Sequence, residues 1–229
     1  MDKMIVYEDN AIIVVHKPAG IATQTAKLGQ ADIVSELKNY RKNKGENSYI
    51  GVVHRLDQPV EGLLVFAKNA DAAKKLSLQL NNGSLKKKYA ALVEGNLSES
   101  DGGELTDFLL KDGRTNLSKV VSEGTKDAKE AKLFWKTIKC FEQFSLVQIE
   151  LVTGRHHQIR VQMSNAKMAL LGDMKYGTEL SKKISREVGI NNTALLANEI
   201  SFIHPVNKKN MKFTLSYPLR WVTKLLRKI

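Results

Sequence analysis

Apolar residues recur along this chain with two periods, and each period marks a different kind of element. Residues 11–15 form a continuous, mostly β-branched run that stops at Lys17-Pro18-Ala19-Gly20, where Pro and Gly occupy the second and fourth positions of a turn. A buried strand entering a reversal is predicted. Residues 32–42 set Ile33, Leu37 and Tyr40 at helical spacing, and the polar segment 44–48 ends the pattern. The short apolar run 62–67 reads as a second strand. Ala73, Leu76 and Leu80 then share one face of a helix, with Asn69 placed to cap it and Gly83 to end it. After the basic run Lys86-Lys87-Lys88, the residues Tyr89, Ala91 and Val93 alternate with Ala90, Leu92 and Glu94, the period of a strand.

The period of two returns at 131–138 and at Val147, Ile149 and Leu151, predicting two neighbouring strands. Gly154 closes the second of these. Ile159 and Met163 then suit a helix that starts near His156 and stops near Asn165. Late strands are predicted at 199–203 and 211–217, and Val222, Leu225, Leu226 and Ile229 define one face of a terminal helix. Segments 97–103 and 111–129 mix charge with glycine and read as exposed connections or weak hairpins of no legible function. No internal repeat, low-complexity block or linker interrupts the chain. The expectation is a single α+β domain over residues 1–229, a mixed and largely antiparallel sheet with flanking helices.

Composition adds exclusions. With 229 residues, 42% hydrophobic and 26% charged, the chain has the balance of an ordinary globular protein. Its longest apolar runs are five residues, far short of the roughly 20 that cross a bilayer, and Asp2, Glu8 and Asp9 interrupt any secretory pattern at the start. A cytoplasmic location is expected. The one cysteine, Cys140, has no partner for an internal disulfide and no zinc-site neighbours, so it is expected to be a small buried residue. Charge is more informative, because 36 basic against 24 acidic side chains leave +12. Residues 1–60 carry eight basic and seven acidic groups, so nearly all of the surplus falls later. A polyanionic partner is favoured, nucleic acid ahead of a merely solvated basic surface or an anionic membrane.

Two segments could carry chemistry. In His54-Arg55-Leu56-Asp57, the adjoining Gln58-Pro59 forces a turn directly after the carboxylate, just before an apolar strand. Spacing alone leaves Asp57 open as a nucleophile or as a turn former. Thr153-Gly154-Arg155-His156-His157-Gln158-Ile159-Arg160 holds more donors than a strand-to-helix junction requires, and Gly154 allows close approach of a ligand. Helix capping with solvated charge is the alternative. A metal site is not expected, since adjacent His156 and His157 should point to different sides and no H-x-x-x-H pair occurs. Phosphate-loop, dinucleotide and G-x-S-x-G signatures are also absent.

Taken in order, these segments resemble the RluA-type pseudouridine synthases. Glu8-Asp9 with the strand and Lys17-Pro18-Ala19-Gly20 is similar to that family's opening, and His54 to Asp57 to its catalytic H-R-L-D. Lys88-Tyr89 leading through Ala91 and Val93 to Gly95 resembles its K-x-Y-x-A-x-V-x-G strand. Thr153 to Arg160 resembles T-G-R-T-H-Q-I-R, and Leu171-Gly172-Asp173 with Lys175-Tyr176-Gly177 resembles the segment that comes next in the family's order. The likeness runs from about residue 6 to Tyr217-Pro218-Leu219. There are departures: Val60-Glu61 stands for the family's Thr-Ser, His156 for its Thr, and Gln162 where a His is common. The catalytic pattern begins almost at Met1, so a catalytic domain without the family's N-terminal RNA-binding domain is expected.

The resemblance implies isomerisation of specific uridines in rRNA or tRNA to pseudouridine, on a pseudouridine synthase fold. It implies no cofactor and no metal, an RNA partner, no membrane, no obligate protein partner and a monomer. Asp57 would be the nucleophile, by attack on the ribose or a glycal route. Arg155 would pair with it, Tyr89 would lie on the flipped uracil, and Arg55 would fill the gap left by the extruded nucleotide or touch phosphate. Two other classes are weighed beside it: a noncatalytic RNA-binding or RNA-folding protein, and a glycoside-type hydrolase, for which Glu61 is the only second carboxylate close to Asp57 in sequence.

Overall fold

The computed structural model describes residues 1–25, 29–218 and 221; the predicted terminal helix at 222–229 lies outside the described residues. In chain order the elements are β1 (Ile5–Glu8), β2 (Ile12–Lys17), α1 (Ile33–Asn43), β3 (Gly51–Val52), β4 (Glu61–Ala67), α2 (Ala70–Asn81) and β5 (Lys86–Glu94). Next come β6 (Gly102–Asp112), β7 (Leu117–Val121), β8 (Lys129–Cys140), β9 (Phe144–Leu151), α3 (Gln158–Asn165), α4 (Glu179–Val188), β10 (Leu195–Ile203) and β11 (Asn210–Thr214). Every strand ladder described is antiparallel. The described residues form two compact units: Met1–Lys87 with Ala197–Ser216, and Lys88–Leu196 with Tyr217, Pro218 and Trp221.

In the first unit β2 lies between β1 and β4, β10 lies beside β4, and β11 pairs β10. Strands β2 and β4 are buried on both faces, which is why 11–15 and 62–67 read as continuous apolar runs and not as alternations. Ile12, Val14, Leu63 and Val65 join Ala72 and Leu76 of α2 and Ile200 and Phe202 of β10 in one core. Asn69 caps α2 as its position predicts, its Oδ1 accepting from the Ala72 N–H at 2.9 Å. Where β4 begins, Gly62 has φ +139°, and a Cβ there would stand 2.5 Å from the backbone N and O of Ala197. Only glycine fits that approach.

The second unit orders its strands β5-β9-β8-β6-β7, so the β8–β9 and β6–β7 hairpins lie side by side and β5 joins at β9. Tyr89 faces Ile149 across β5 and β9, and Trp135 faces Ile149 across β8 and β9, so the two predicted neighbouring strands do pair. The hairpin of β6 and β7 extends well beyond the exposed connections or weak hairpins expected at 97–103 and 111–129, because its strands are largely solvated and their period is hidden under charge. Helix α4 escaped the periodicity for a similar reason: its buried positions are Ser181, Ile184, Ser185 and Val188, half of them hydroxyls. Cys140 ends β8 half-buried, not fully buried as expected.

Candidate active site

The turn carrying Asp57 is tied down from several sides within the first unit. Thr23, buried, uses its Oγ1 twice: it accepts from the Leu56 N–H at 3.1 Å and donates to the Leu56 carbonyl at 2.9 Å. The Asp57 carbonyl accepts from the Val60 N–H at 3.0 Å, closing the turn. Gln58 is stitched to the Lys17-Pro18-Ala19-Gly20 turn by its carbonyl, which accepts from the Gly20 N–H at 2.8 Å, and by its Nε2, which donates to the Gly20 carbonyl at 3.0 Å. Pro59 comes directly after it. The backbone is thus fixed while the Asp57 side chain stays half-exposed and Arg55, two residues earlier, is exposed.

Beneath both turns sits Lys17, whose side chain is completely buried. Its ammonium donates to the carbonyls of Ile21 at 2.7 Å, Pro18 at 3.0 Å and Gln58 at 3.2 Å. Burial lowers its pKa to about 8, against the attraction of the Asp57 and Glu61 carboxylates. Sequence reasoning placed Lys17 in a motif but gave it no role, since nothing in one dimension shows that two turns share a cation. His54 is buried behind the same segment and held neutral by burial, with the Lys87 charge adding to that effect. Its Nε2 accepts from the Val65 N–H at 3.3 Å, so the neutral ring carries its proton on Nδ1.

The departures from the expected motif have local explanations. Val60 is buried at 2% exposure and serves the core. Glu61 meets His16 across β2 and β4, Oε1 to Nε2 at 3.0 Å. The carboxylate is therefore engaged with a strand neighbour.

In the second unit Tyr89 is buried on β5, and Arg155 is exposed after Gly154. The Arg155 Nε donates to the Glu130 carbonyl at 2.7 Å. Gln158 organises this loop: its Oε1 accepts from the Arg155 N–H and from Thr153 Oγ1, both at 2.8 Å, and its Nε2 donates to the Lys132 carbonyl at 3.1 Å. His157 has φ +55°. That left-handed residue turns its ring back, and His156 and His157 stack at 3.7 Å between centroids, where simple alternation had predicted divergence. Behind the loop, Arg160 grips Asp173 with two bonds of 2.6 and 2.7 Å, both side chains buried. Burial alone would raise the Asp173 pKa, but the Arg160 fork and the Lys175 and Tyr176 N–H groups outweigh it and hold the carboxyl below its ordinary range. Tyr176 completes the support, its hydroxyl bonded to His157 Nδ1 at 2.7 Å and accepting from the Ser118 N–H at 2.8 Å.

A mixed, mostly antiparallel sheet of this topology defines the class of the pseudouridine synthase fold. The structure of human RNA pseudouridylate synthase domain containing 4 superposes with a TM-score of 0.80 over 99% of this chain and 93% of that one, at 21% identity. That of human RNA pseudouridylate synthase domain containing 1 gives 0.73 at 19% identity, over 99% of this chain and 95% of that one. Residues 11–165 match the family model described as RNA pseudouridylate synthase. The ribosomal large subunit pseudouridine synthase C of Buchnera aphidicola (subsp. Baizongia pistaciae) is 33% identical over 99% of this chain and 70% of its own length. The tRNA pseudouridine synthase C of Haemophilus ducreyi is 30% identical over 94% of this chain and 90% of its own. The chain belongs to the RNA pseudouridylate synthase family, and it is an enzyme of that class.

Proposed function

We propose that this chain isomerises specific uridines of ribosomal or transfer RNA to pseudouridine with Asp57 as the nucleophile. The observation that supports this most directly is the Asp57 turn itself: rigid backbone on three sides, a cation beneath, and a carboxylate left half-exposed at the tip. Turn formation alone does not require so much bracing. In the reaction the N1–C1′ bond of uridine breaks, the base rotates, and a C5–C1′ bond forms. The C5 proton leaves to solvent and N1 gains one, so no redox or hydrolytic cofactor is called for. Tyr89 contacts the flipped uracil, Arg155 partners the Asp57 carboxylate, and Arg55 occupies the place of the extruded nucleotide or meets phosphate. We further propose a cytoplasmic enzyme that works as a monomer and as one catalytic domain.

The test is tritium release from unmodified ribosomal and transfer RNA labelled at uracil C5. Asp57→Asn and Asp57→Ala are expected to release none while binding RNA within several-fold of the parent, because the carboxylate serves bond rearrangement and not phosphate contact. Substantial turnover by Asp57→Ala would remove Asp57 from the mechanism.

A further inference from the structure

The second unit holds a cleft of about 410 Å³ between the β6–β7 hairpin and the loop that precedes α3. That volume lies in the range of small-ligand sites, roughly 300–1,000 Å³. Its polar lining is one-sided: Lys111, Lys129, Arg155 and His156 against the single carboxylate of Asp127. This is a local excess, because residues 88–196 as a whole carry sixteen basic and fourteen acidic side chains. Leu109, packed on Ala131 and Val161, supplies an apolar wall beside the cations. A purely solvated charge cluster would not need one.

The wall formed by the loop is built rather than loose. His156 Nδ1 is bonded to Ser118 Oγ at 2.8 Å, and its ring lies on His157. His157 is fixed by Tyr176, Tyr176 lies under the Arg160 guanidinium at 5.1 Å, and Arg160 is locked on buried Asp173. A buried ion pair is weak evidence for stability, since desolvation offsets much of its attraction. Its geometric effect here is plain: it holds a chain of aromatic rings whose outermost member lines the cleft.

We propose that this cleft is a second RNA subsite, which takes a nucleotide flanking the modified uridine, with Lys111 and Lys129 on backbone phosphate and His156 against its base. The inference rests on the reading that the substrate is RNA and adds where a second part of that RNA is held. Cations beside an apolar wall and a fixed aromatic ring match a phosphate joined to a base better than a bare anion.

The test uses the whole chain and a short fluorescein-labelled single-stranded RNA of mixed sequence for affinity, with tritium release at saturating unmodified RNA for the reaction. Lys111→Gln/Lys129→Gln is expected to weaken binding by about tenfold and to flatten the log Kd against log salt slope by about 1.4, from roughly 0.7 per lost phosphate contact. Its single-turnover rate at saturation should stay within twofold. Lys38→Gln/Lys42→Gln removes the same charge from exposed positions on α1 and should leave affinity and slope near the parent's. His156→Ala should weaken binding several-fold with the slope unchanged. Equal affinities and slopes for the two double variants would overturn the proposal, as would a lost saturating rate at unchanged affinity, which would assign the lysines to the reacting centre. Should the parent release no tritium from any RNA while the Lys111/Lys129 effect persists, the uridine chemistry fails and the subsite stands.

Discussion

Lys17 shows how one side chain can couple folding to chemistry. A lysine with a native pKa near 8 and an unfolded value of 10.5 makes the unfolded chain the stronger proton binder between those values, so stability rises with pH across that window. Below pH 8 both states are charged and the native state carries the whole cost of burying the ammonium, about 3 kcal/mol at 1.36 kcal/mol per pH unit. Denaturant melts of the parent should therefore show stability climbing from pH 8 to 10.5, and Lys17→Met should abolish the climb. Activity should move the opposite way. A neutral amine has two hydrogens for three carbonyls and no attraction for Asp57, so the parent's single-turnover rate should fall above pH 8. A flat rate profile from pH 7 to 10 would separate Lys17 from the chemistry.

Arg155 offers a second test at the same scale. Its Nε is spent on the Glu130 carbonyl, which leaves the two terminal nitrogens of the fork for a planar partner. Lysine can supply the charge or the carbonyl contact but not a planar pair of donors. Arg155→Lys should lose most of the activity and Arg155→Ala somewhat more, since misplacement by about 1 Å costs on the order of 100-fold. Single-turnover rates for Arg155→Lys within twofold of the parent would contradict this.

Among the elements, legibility tracked burial. Strands β2 and β4 could be read from sequence because the core takes nearly every residue of each, and helix α2 because a single apolar face and the Asn69 cap are both written locally. The β6–β7 hairpin and α4 could not, because solvent imposes no period on β6 and hydroxyls occupy half of the inner face of α4. The site divides in the same way. Asp57, Tyr89 and Arg155 stand out in the sequence as motif candidates, whereas the contacts of Thr23, Lys17 and Gln158 appear only when distant backbone groups meet their side chains. Gly62 belongs to this scale too. Its φ and the 2.5 Å approach to Ala197 predict that Gly62→Ala loses about 3 kcal/mol. For a chain of this size that lowers Tm by roughly 6–12 °C. An unchanged melting temperature would mean that β10 can shift aside at no cost.

At the scale of the molecule, the surplus of +12 is expressed unevenly, and residues 217–229 alone carry four basic and no acidic side chains. RNA affinity should fall steeply with salt, by a log-log slope of about 0.7 per phosphate neutralised on single strands. Of the run Lys86-Lys87-Lys88, only Lys86 is exposed, and burial lowers the pKa of Lys87. Reversing Lys86 should reduce the slope if the run meets RNA. A slope identical to the parent's would give that lysine a purely solvent role.

The first unit is discontinuous in sequence, broken after Lys87 and resumed at Ala197. A ribosome adding about 5–20 residues per second therefore needs roughly 5–20 s to make the intervening segment. For that interval the nascent chain holds β4 without its neighbour β10, and the core lacks Ile200 and Phe202. The strand that follows the Asp57 turn thus presents an unpaired, strongly apolar edge during synthesis, the feature that invites chaperone capture or aggregation. In the intervening segment β6 with β7 and β8 with β9 are sequence-local hairpins that can form as they emerge, and β5 waits for β9. The unit that bears Asp57 is therefore begun first, yet its sheet closes only once β10 and β11 have been made.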